Sequence, residues 1–532
     1  MSQLQYSHLC RLIHDCLHSF TVFLLAVESH YAQHLAANVL VSISEFVVAS
    51  GSYWLEFMQS LCFYFEIMIS KVFSPSSDPP IRATHLGCDS VDFTLDLQRV
   101  LSNARWFSVG AVVLVLRTIL KQLKREDDVK VLEIYFQVLG SCLQVIPWDS
   151  CNSVLIADIN SPPLSWFEFC GYLVQLFCSL ADCEDENPAV HEIFNVFPKI
   201  LTWYFGMQGE NHNSSISQYI RHKILVLMIR LSTLISLDCD TVVLWLHLIE
   251  KYFQDLLSES VSEPEADQDD CLRDSPFSGT SHRHLQRRVI FLFLKCAFSL
   301  IGLKENCKKQ CSCGNLNLCS KKGFTALYEW LKRHLPANIL NNDELYDDCC
   351  KSFTKSFIQL YMHEDDMLFK VLLQLTYTPF EYTQQITEDW ISQVVEKEIF
   401  FLLSDIFDPV CLVHLFLSEL HYDHQVLLDY LISKDTGASC AEYFLRCLRV
   451  ICDKWDRFLN FPFRTEVETQ SLPKRRKSGN DKSCEQAFYK ARDCLLMLKK
   501  SIESLHQKDL FPYNPQVLLR RLTRFQELCL RV

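Results

Sequence analysis

Apolar residues recur every three to four positions along most of this chain. Val112, Leu116 and Ile119, for example, fall on one side of a helix that has 3.6 residues per turn. Glycine is scarce, at 13 of 532 residues, which disfavours architectures that need many residues at positive φ. The sequence therefore predicts an all-α protein.

Several such apolar segments follow one another with short polar or proline-containing links between them. They are Val131–Val145, Trp166–Leu180, Val190–Phe205, Ile216–Ile235 and Val242–Leu257. Successive helices with broad apolar faces and short links favour stacked helical hairpins, that is, an α-solenoid of armadillo or HEAT type. A large irregular helical bundle is the alternative, because no fixed repeat period is evident.

Three polar segments interrupt the helical pattern, the first of which, residues 74–90, is rich in proline and serine and predicts an exposed loop. Residues 258–286 are acidic and poor in aliphatic side chains, which predicts a disordered acidic loop. Residues 461–482 are polar and basic, which predicts a linker. We therefore predict a helical domain over residues 1–460, a basic linker over 461–482 and a C-terminal helical hairpin over 483–532.

The net charge of −13 is unevenly distributed. Residues 441–532 hold 19 basic and 11 acidic residues, a net of +8, whereas residues 1–440 hold 32 and 53, a net of −21. Such an asymmetry between an acidic body and a basic C-terminal region can steer the choice of partners.

A run of four basic residues follows Pro473, namely Lys474, Arg475, Arg476 and Lys477. Adjacent like charges repel one another and favour an exposed, extended chain that an import receptor can bind. We interpret the run as a nuclear localisation signal, and a solvated charge run in a linker is the alternative. Ser478 directly after it is a candidate phosphorylation site, since a phosphate there would oppose the positive charge.

The 25 cysteines are scattered and often lie on apolar helix faces. Residues 1–20 lack the basic region and clean apolar stretch of a secretory signal peptide. Cysteine used as a small buried hydrophobic residue in a reducing compartment is the better interpretation. The apolar stretches are interrupted by polar residues or end at charges, so we expect no membrane partner.

No motif indicates catalysis. Phosphate-loop, dinucleotide-binding, nucleophile-elbow and kinase patterns are all missing from the sequence, so we predict no enzymatic activity and no cofactor. The cluster Cys307, Cys311, Cys313 and Cys319 is a weak zinc candidate, because its spacing is not that of common zinc modules. The acidic residues Glu364, Asp365 and Asp366 are expected to be solvated.

The last 50 residues predict two helices joined by a tight turn. Ser483 and Gln486 fit a capping box that would begin the first helix. Asn514 and Pro515 fit the N-cap and the first residue of the second helix. Both helices carry an apolar stripe, which must be covered either by the helical body or by a partner.

The stretch Phe488–Cys529 resembles the C-terminal domain of the Lines family. Its most specific residues are Phe511, Pro512, Tyr513, Asn514 and Pro515, followed by Leu518, Leu519, Arg520 and Arg521. The helical body is similar to the family's longer N-terminal domain in arrangement only.

The resemblance implies a non-enzymatic scaffold or regulator in Wnt-type developmental signalling, present in the nucleus and the cytoplasm. Its implied partners are proteins, such as transcriptional or signalling regulators. Members are expected to be longer at the N-terminus, so we expect this chain to be a shorter splice isoform or a fragment. The alternative, a nuclear factor that binds nucleic acid through residues 441–532, is less favoured because few aromatic residues are interleaved with the basic ones.

Overall fold

Every regular element that the structure describes is a helix, which confirms the all-α prediction. The structure is a computed structural model. It describes residues 19–26, 29–49, 54–73, 100–101, 105–126, 128–146, 148, 164–182, 188–207, 215–234, 239–262, 282–302, 316–336, 343–376, 402–461 and 479–531. These residues belong to two compact units, the first formed by the described residues up to 234 and the second by those from 239 onwards.

The first unit is built from two rows of helices. Its helices are α1 His30–Ala49, α2 Trp54–Phe73, α3 Trp106–Glu126, α4 Val129–Val145, α5 Leu164–Leu180, α6 Pro188–Met207 and α7 Ser215–Leu234. In one row α1, α3, α5 and α7 pack side by side, and in the other α2, α4 and α6 do so. This alternation is that of an α-solenoid, so the predicted stacking of helical hairpins is confirmed.

The core of the first unit is strongly aromatic where α3, α5 and α6 meet. The indole of Trp203 lies 5.5 Å from that of Trp106 and 5.3 Å from that of Trp166, and Trp166 stacks on Tyr204 at 5.6 Å. Gly110 of α3 permits this approach, because a Cβ there would lie 3.3 Å from the Tyr172 ring. Burial of such large rings supplies much of the stabilising free energy of a helical core.

The second unit also stacks its helices in rows. Its helices are α8 Cys239–Tyr252, α9 Gln254–Ser258, α10 His282–Ile301, α11 Leu316–His334, α12 Asp343–Tyr361, α13 Asp365–Thr376, α14 Pro409–Glu419, α15 His424–Ile432, α16 Gly437–Asp453, α17 Trp455–Leu459, α18 Gly479–Gln507 and α19 Gln516–Cys529. One row runs through α10, α13, α16 and α19, and the other through α12, α14 and α18. The predicted boundary at residues 461–482 therefore lies within this unit, and α18 and α19 are part of its packing.

Two helices differ from the prediction by more than the usual uncertainty of helix ends. The predicted helix Val242–Leu257 is divided at Phe253, whose non-helical backbone (φ −129°, ψ 23°) accompanies a ring that is 1% exposed. Helix α18 begins at Gly479, so Ser483 lies inside it and the predicted capping box does not mark its start. Serine and glutamine, the two residues of that pattern, also occur inside helices, so the pattern alone does not locate the helix start.

Two helices are long and apolar enough to cross a membrane by length and composition alone. These are Tyr31–Ala49, which is 39% buried, and Trp106–Glu126, which is 67% buried. The second is α3, which packs against both α1 and α5. A helix buried to this extent is typical of a protein core. Our expectation that the chain has no membrane partner stays a prediction.

Two buried helical glycines provide a matched test of this packing. A Cβ at Gly171 in α5 would meet nothing within 4 Å, whereas a Cβ at Gly323 in α11 would lie 2.7 Å from the carbonyl oxygen of Ala297 in α10. We expect Gly171→Ala to stabilise the protein by about 0.5–1 kcal/mol through helix propensity. We expect Gly323→Ala to destabilise it by about 1–3 kcal/mol through overpacking. Chemical denaturation of both variants checks this, and an equal response of the two would contradict the described packing.

Candidate functional site

The C-terminal hairpin of α18 and α19 turns its apolar side into the second unit. Its buried residues include Phe488, Ala491, Leu495, Leu498 and Ile502 of α18 and Leu518, Leu519, Leu522 and Phe525 of α19. Helix α18 packs on α14, α15 and α17, and α19 packs on α16. The helical body therefore covers the stripes that the sequence left open to either the body or a partner.

A cluster of four aromatic rings joins the hairpin to α17. Trp455 lies 5.9 Å from Phe488 and 5.6 Å from Phe525, measured between ring centroids. Phe458 lies 6.0 Å from Phe488 and 5.8 Å from Phe525. All four pairs are edge-to-face, the arrangement that the ring quadrupole favours.

The hairpin turn, residues 511–515, is held against the turn between α15 and α16. The hydroxyl of Tyr513 donates a hydrogen bond to the carbonyl oxygen of Leu431 at 3.0 Å. Gly437 makes the close approach possible, since a Cβ there would lie 2.7 Å from the same Leu431 oxygen and 3.7 Å from the Tyr513 ring. Phe511 packs edge-on against Tyr513 at 4.9 Å. The aromatic residues of the turn therefore have a structural role.

The start of α19 lies one residue later than predicted, with Pro515 as its N-cap. The side-chain oxygen of Asn514 accepts a hydrogen bond from the backbone N–H of Gln516 at 3.0 Å. Pro515 lies between them and is buried, and the helix is bounded one residue later than predicted, at Gln516. A difference of one residue lies within the usual uncertainty of helix ends.

The outer face of α19 is basic and exposed. Arg520, Arg521 and Arg524 all lie on it, and Arg524 forms an ion pair with Glu527 at 3.2 Å. We call Arg520, Arg521 and Arg524 the arginine face. It presents planar donors that match carboxylate or phosphate groups.

A half-open cleft of about 540 Å³ lies in the same unit, between α12, the start of α14 and α17. Its lining includes Lys351, Asp405, Asp408, Asp456, Arg457 and Phe461. These residues come from three separate stretches of the chain, so no local spacing in the sequence indicates that they line one cleft. With charged side chains of both signs at its wall, the cleft is suited to hold a polar group of a partner.

Asp408 has two roles at this cleft. It caps α14 by accepting a hydrogen bond from the backbone N–H of Cys411 at 3.3 Å, and it lies 3.6 Å from the guanidinium of Arg457. Burial raises the pKa of Asp408, and the charge of Arg457 partly opposes that rise. The carboxylate is thereby tied to the helix end, which fixes one wall of the cleft.

His414 lies just behind the cleft, fully buried between two aromatic rings. Its imidazole is stacked 4.4 Å from Phe458 and 4.5 Å from Phe461. One nitrogen, Nε2, lies 3.1 Å from the carbonyl oxygen of Phe458, while Nδ1 has no hydrogen-bond partner. Burial lowers the pKa of His414 to about 4, so the ring is neutral near pH 7.

The sequence predicted that Glu364 is solvated, and this prediction is wrong. Three basic side chains of α10 lie around its carboxylate instead. Its carboxylate lies 2.6 Å from His284 Nδ1, 3.0 Å from Arg287 and 3.8 Å from Arg288. Burial raises the pKa of Glu364, but these partners together hold it below its usual value. Asp366, by contrast, is half exposed and pairs with Lys370, as expected of a solvated helix face.

The remaining predicted residues divide into two groups. The basic run Lys474–Lys477, Ser478 and three of the cysteines, Cys307, Cys311 and Cys313, lie outside the described residues. Cys319 is described and is buried, with its Sγ 2.6 Å from that of Cys239. Within the described part of the chain, no group of three or more His, Cys, Asp or Glu residues is arranged to hold a metal ion.

Two family models match this chain, and both matches lie in the second unit. The model described as Lines N-terminus matches residues 285–461, and the model described as Lines C-terminus matches residues 491–527. The first match covers α10 to α17, and the second covers most of the hairpin.

The chain is also similar to two curated proteins. It is 28% identical to Protein Lines homolog 1 of Mus musculus over 186 residues, which are 33% of this chain and 22% of the mouse protein. It is 32% identical to Protein Lines homolog 1 of Homo sapiens over 145 residues, which are 25% of this chain and 16% of the human protein. The matched region thus spans less than a quarter of either relative.

The comparison with solved structures finds a circular tandem repeat protein with novel repeat topology and enhanced subunit contact surfaces. The alignment covers 99% of this chain and 97% of the chain of that protein. The identity is 11% and the TM-score is 0.19. A score this low does not establish a common fold.

The environment of His414 predicts a pH dependence of stability. In the unfolded chain its imidazole binds a proton below about pH 6.5, whereas in the folded protein it does so only below about pH 4. The unfolded state therefore binds more protons between these values, and stability is lost as the pH falls. We expect wild type to lose about 2 kcal/mol more than His414→Gln between pH 7 and pH 5. Denaturation of both proteins at the two pH values checks this, and equal losses would show that His414 is not held neutral.

Proposed function

Because this chain belongs to the Lines family, we propose that it is a non-enzymatic regulatory protein that acts by binding other proteins in Wnt-type developmental signalling. The observation that supports this most is the two-sided hairpin. Its apolar side is occupied by the second unit, and its arginine face is left exposed. A rigid helix with an ordered charged face is a surface that a partner can recognise without any chemical step.

The proposed partner surface combines the arginine face with the rows of stacked helices. Stacked helical hairpins present long continuous surfaces, which such proteins use to bind extended segments of partners. The arginines favour a partner segment rich in carboxylates, since guanidinium groups bind these bidentately.

A second candidate function is association with nucleic acid through the same helix. The observation that favours it is that Arg520, Arg521 and Arg524 share one exposed face, which also suits phosphate groups. The two candidates can be told apart by co-purification. In the first, partner proteins bind this chain directly, and in the second, nucleic acid holds them to it.

Co-purification from cell extract with the triple variant Arg520→Glu, Arg521→Glu and Arg524→Glu tests the proposal. These side chains are exposed, so the substitutions leave the buried face of α19 intact. We expect the variant to lose specific protein partners by tenfold or more, because three charges are reversed at the proposed contact.

The matched control reverses three exposed lysines elsewhere in the second unit, Lys322, Lys332 and Lys434. It carries the same change in net charge and should retain the partners. Equal recovery from both variants would contradict a role of the arginine face. Loss of the partners from wild type after nuclease treatment would favour the nucleic-acid candidate instead.

We also propose that the chain is present in both nucleus and cytoplasm and that Lys474–Lys477 form the signal for an import receptor. Four adjacent positive charges in a polar stretch support this interpretation. A phosphate on Ser478 would weaken the signal by placing negative charge beside it.

Replacement of all four residues, Lys474–Lys477, by alanine tests the localisation. We expect the nuclear fraction of a fluorescent fusion to fall several-fold, because the receptor loses its charged contacts. The control variant with Lys322, Lys332 and Lys434 replaced by alanine should keep the wild-type distribution. An unchanged distribution of the four-alanine variant would exclude this run as the signal.

A further inference from the structure

Two buried cysteines from different helices bring their sulfur atoms together in the second unit. Cys239 is the first residue of α8, and Cys319 lies in the first turn of α11. Their Sγ atoms are 2.6 Å apart, although the residues are 80 positions apart in the chain. Their exposed fractions are 4% and 2%. Helices α8 and α11 pack against each other, so the approach is part of the fold.

Other buried cysteines of this protein have different surroundings. The Sγ of Cys142 in α4 faces the carbonyl oxygen of Cys62 in α2 at 3.7 Å, and hydrogen bonding and burial raise the pKa of the Cys142 thiol well above its usual value. Burial raises the pKa of Cys296 to about 12. These thiols behave as small hydrophobic groups, which is the common role of buried cysteine.

We propose that Cys239 and Cys319 are a redox modification site that forms a reversible disulfide with a small hydroperoxide as the oxidant. An S–S bond needs sulfur atoms about 2.05 Å apart, so closure requires only about half an ångström of movement. A small oxidant suits the site because both sulfurs are buried. In reducing compartments such disulfides are transient and act as sensors.

The chemistry takes two balanced steps. One thiolate attacks a peroxide oxygen, the O–O bond breaks, and a sulfenic acid and hydroxide form. The second thiol then attacks the sulfenic sulfur, the S–S bond forms, and the oxygen leaves as water. Two protein thiols are oxidised and one hydroperoxide is reduced, and a thiol reductant reverses the change by exchange.

The bond would join α8 to α11 and close a loop that contains the acidic segment 258–286. It would also commit Cys319 to Cys239, so the same sulfur would not be available to the zinc cluster that the sequence suggested. Closing a loop of this length restricts the unfolded chain, and we expect the melting temperature to rise by roughly 5–10 °C.

The test uses the purified full chain, treated with hydrogen peroxide, blocked with N-ethylmaleimide and digested without reductant. We expect mass spectrometry to find a peptide pair joined through Cys239 and Cys319 that dithiothreitol separates. The same treatment should raise the melting temperature of wild type and of the control Cys142→Ser, but not that of Cys239→Ser or Cys319→Ser.

Recovery of both Cys239 and Cys319 in the maleimide-labelled form after oxidation would overturn the proposal. So would a disulfide that joins either residue to another cysteine, or oxidation of either sulfur to a sulfinic acid without cross-linking. These outcomes are read on the wild-type chain, so they do not depend on whether a variant folds.

Discussion

Aromatic burial at the C-terminal hairpin is the interaction on which the second unit depends. Trp455 and Phe458 lie against Phe488 and Phe525, and so connect α17 to both helices of the hairpin. Aromatic side chains bury large areas, and these four rings meet edge-to-face, the arrangement that stabilises such pairs beyond their burial. His414 extends the same stack behind the cleft. The geometry of the cleft wall therefore follows from the way in which the hairpin is seated.

The residues that carry the resemblance to the Lines family have two separate roles in this arrangement. Tyr513 and Phe511 hold the turn against the body, and Leu518 and Leu519 fill the space beneath α19. The arginines that follow them face solvent. The stretch that carries the resemblance is therefore first of all a folding element, and its exposed face can change without disturbing the buried contacts.

Much of the fold could be predicted from the sequence, because helical periodicity is a local property. The hairpin stripes follow from residues three or four positions apart, and the structure confirms them. The break at Phe253 could not be predicted, since it depends on where the ring is buried. The cleft and the contact between Cys239 and Cys319 join distant parts of the chain, and a single sequence carries no signal for such contacts.

The covered apolar side of the hairpin has a consequence for inheritance. A premature stop codon before Phe488 would remove the partner of the α16 and α17 surface and expose large aromatic side chains to water. Cellular quality control removes proteins that expose such surfaces, so the shortened chain would be degraded. Alleles that truncate the hairpin would therefore act as null alleles, whereas substitutions in the arginine face, which leave the buried side of the hairpin intact, would leave the abundance of the protein unchanged.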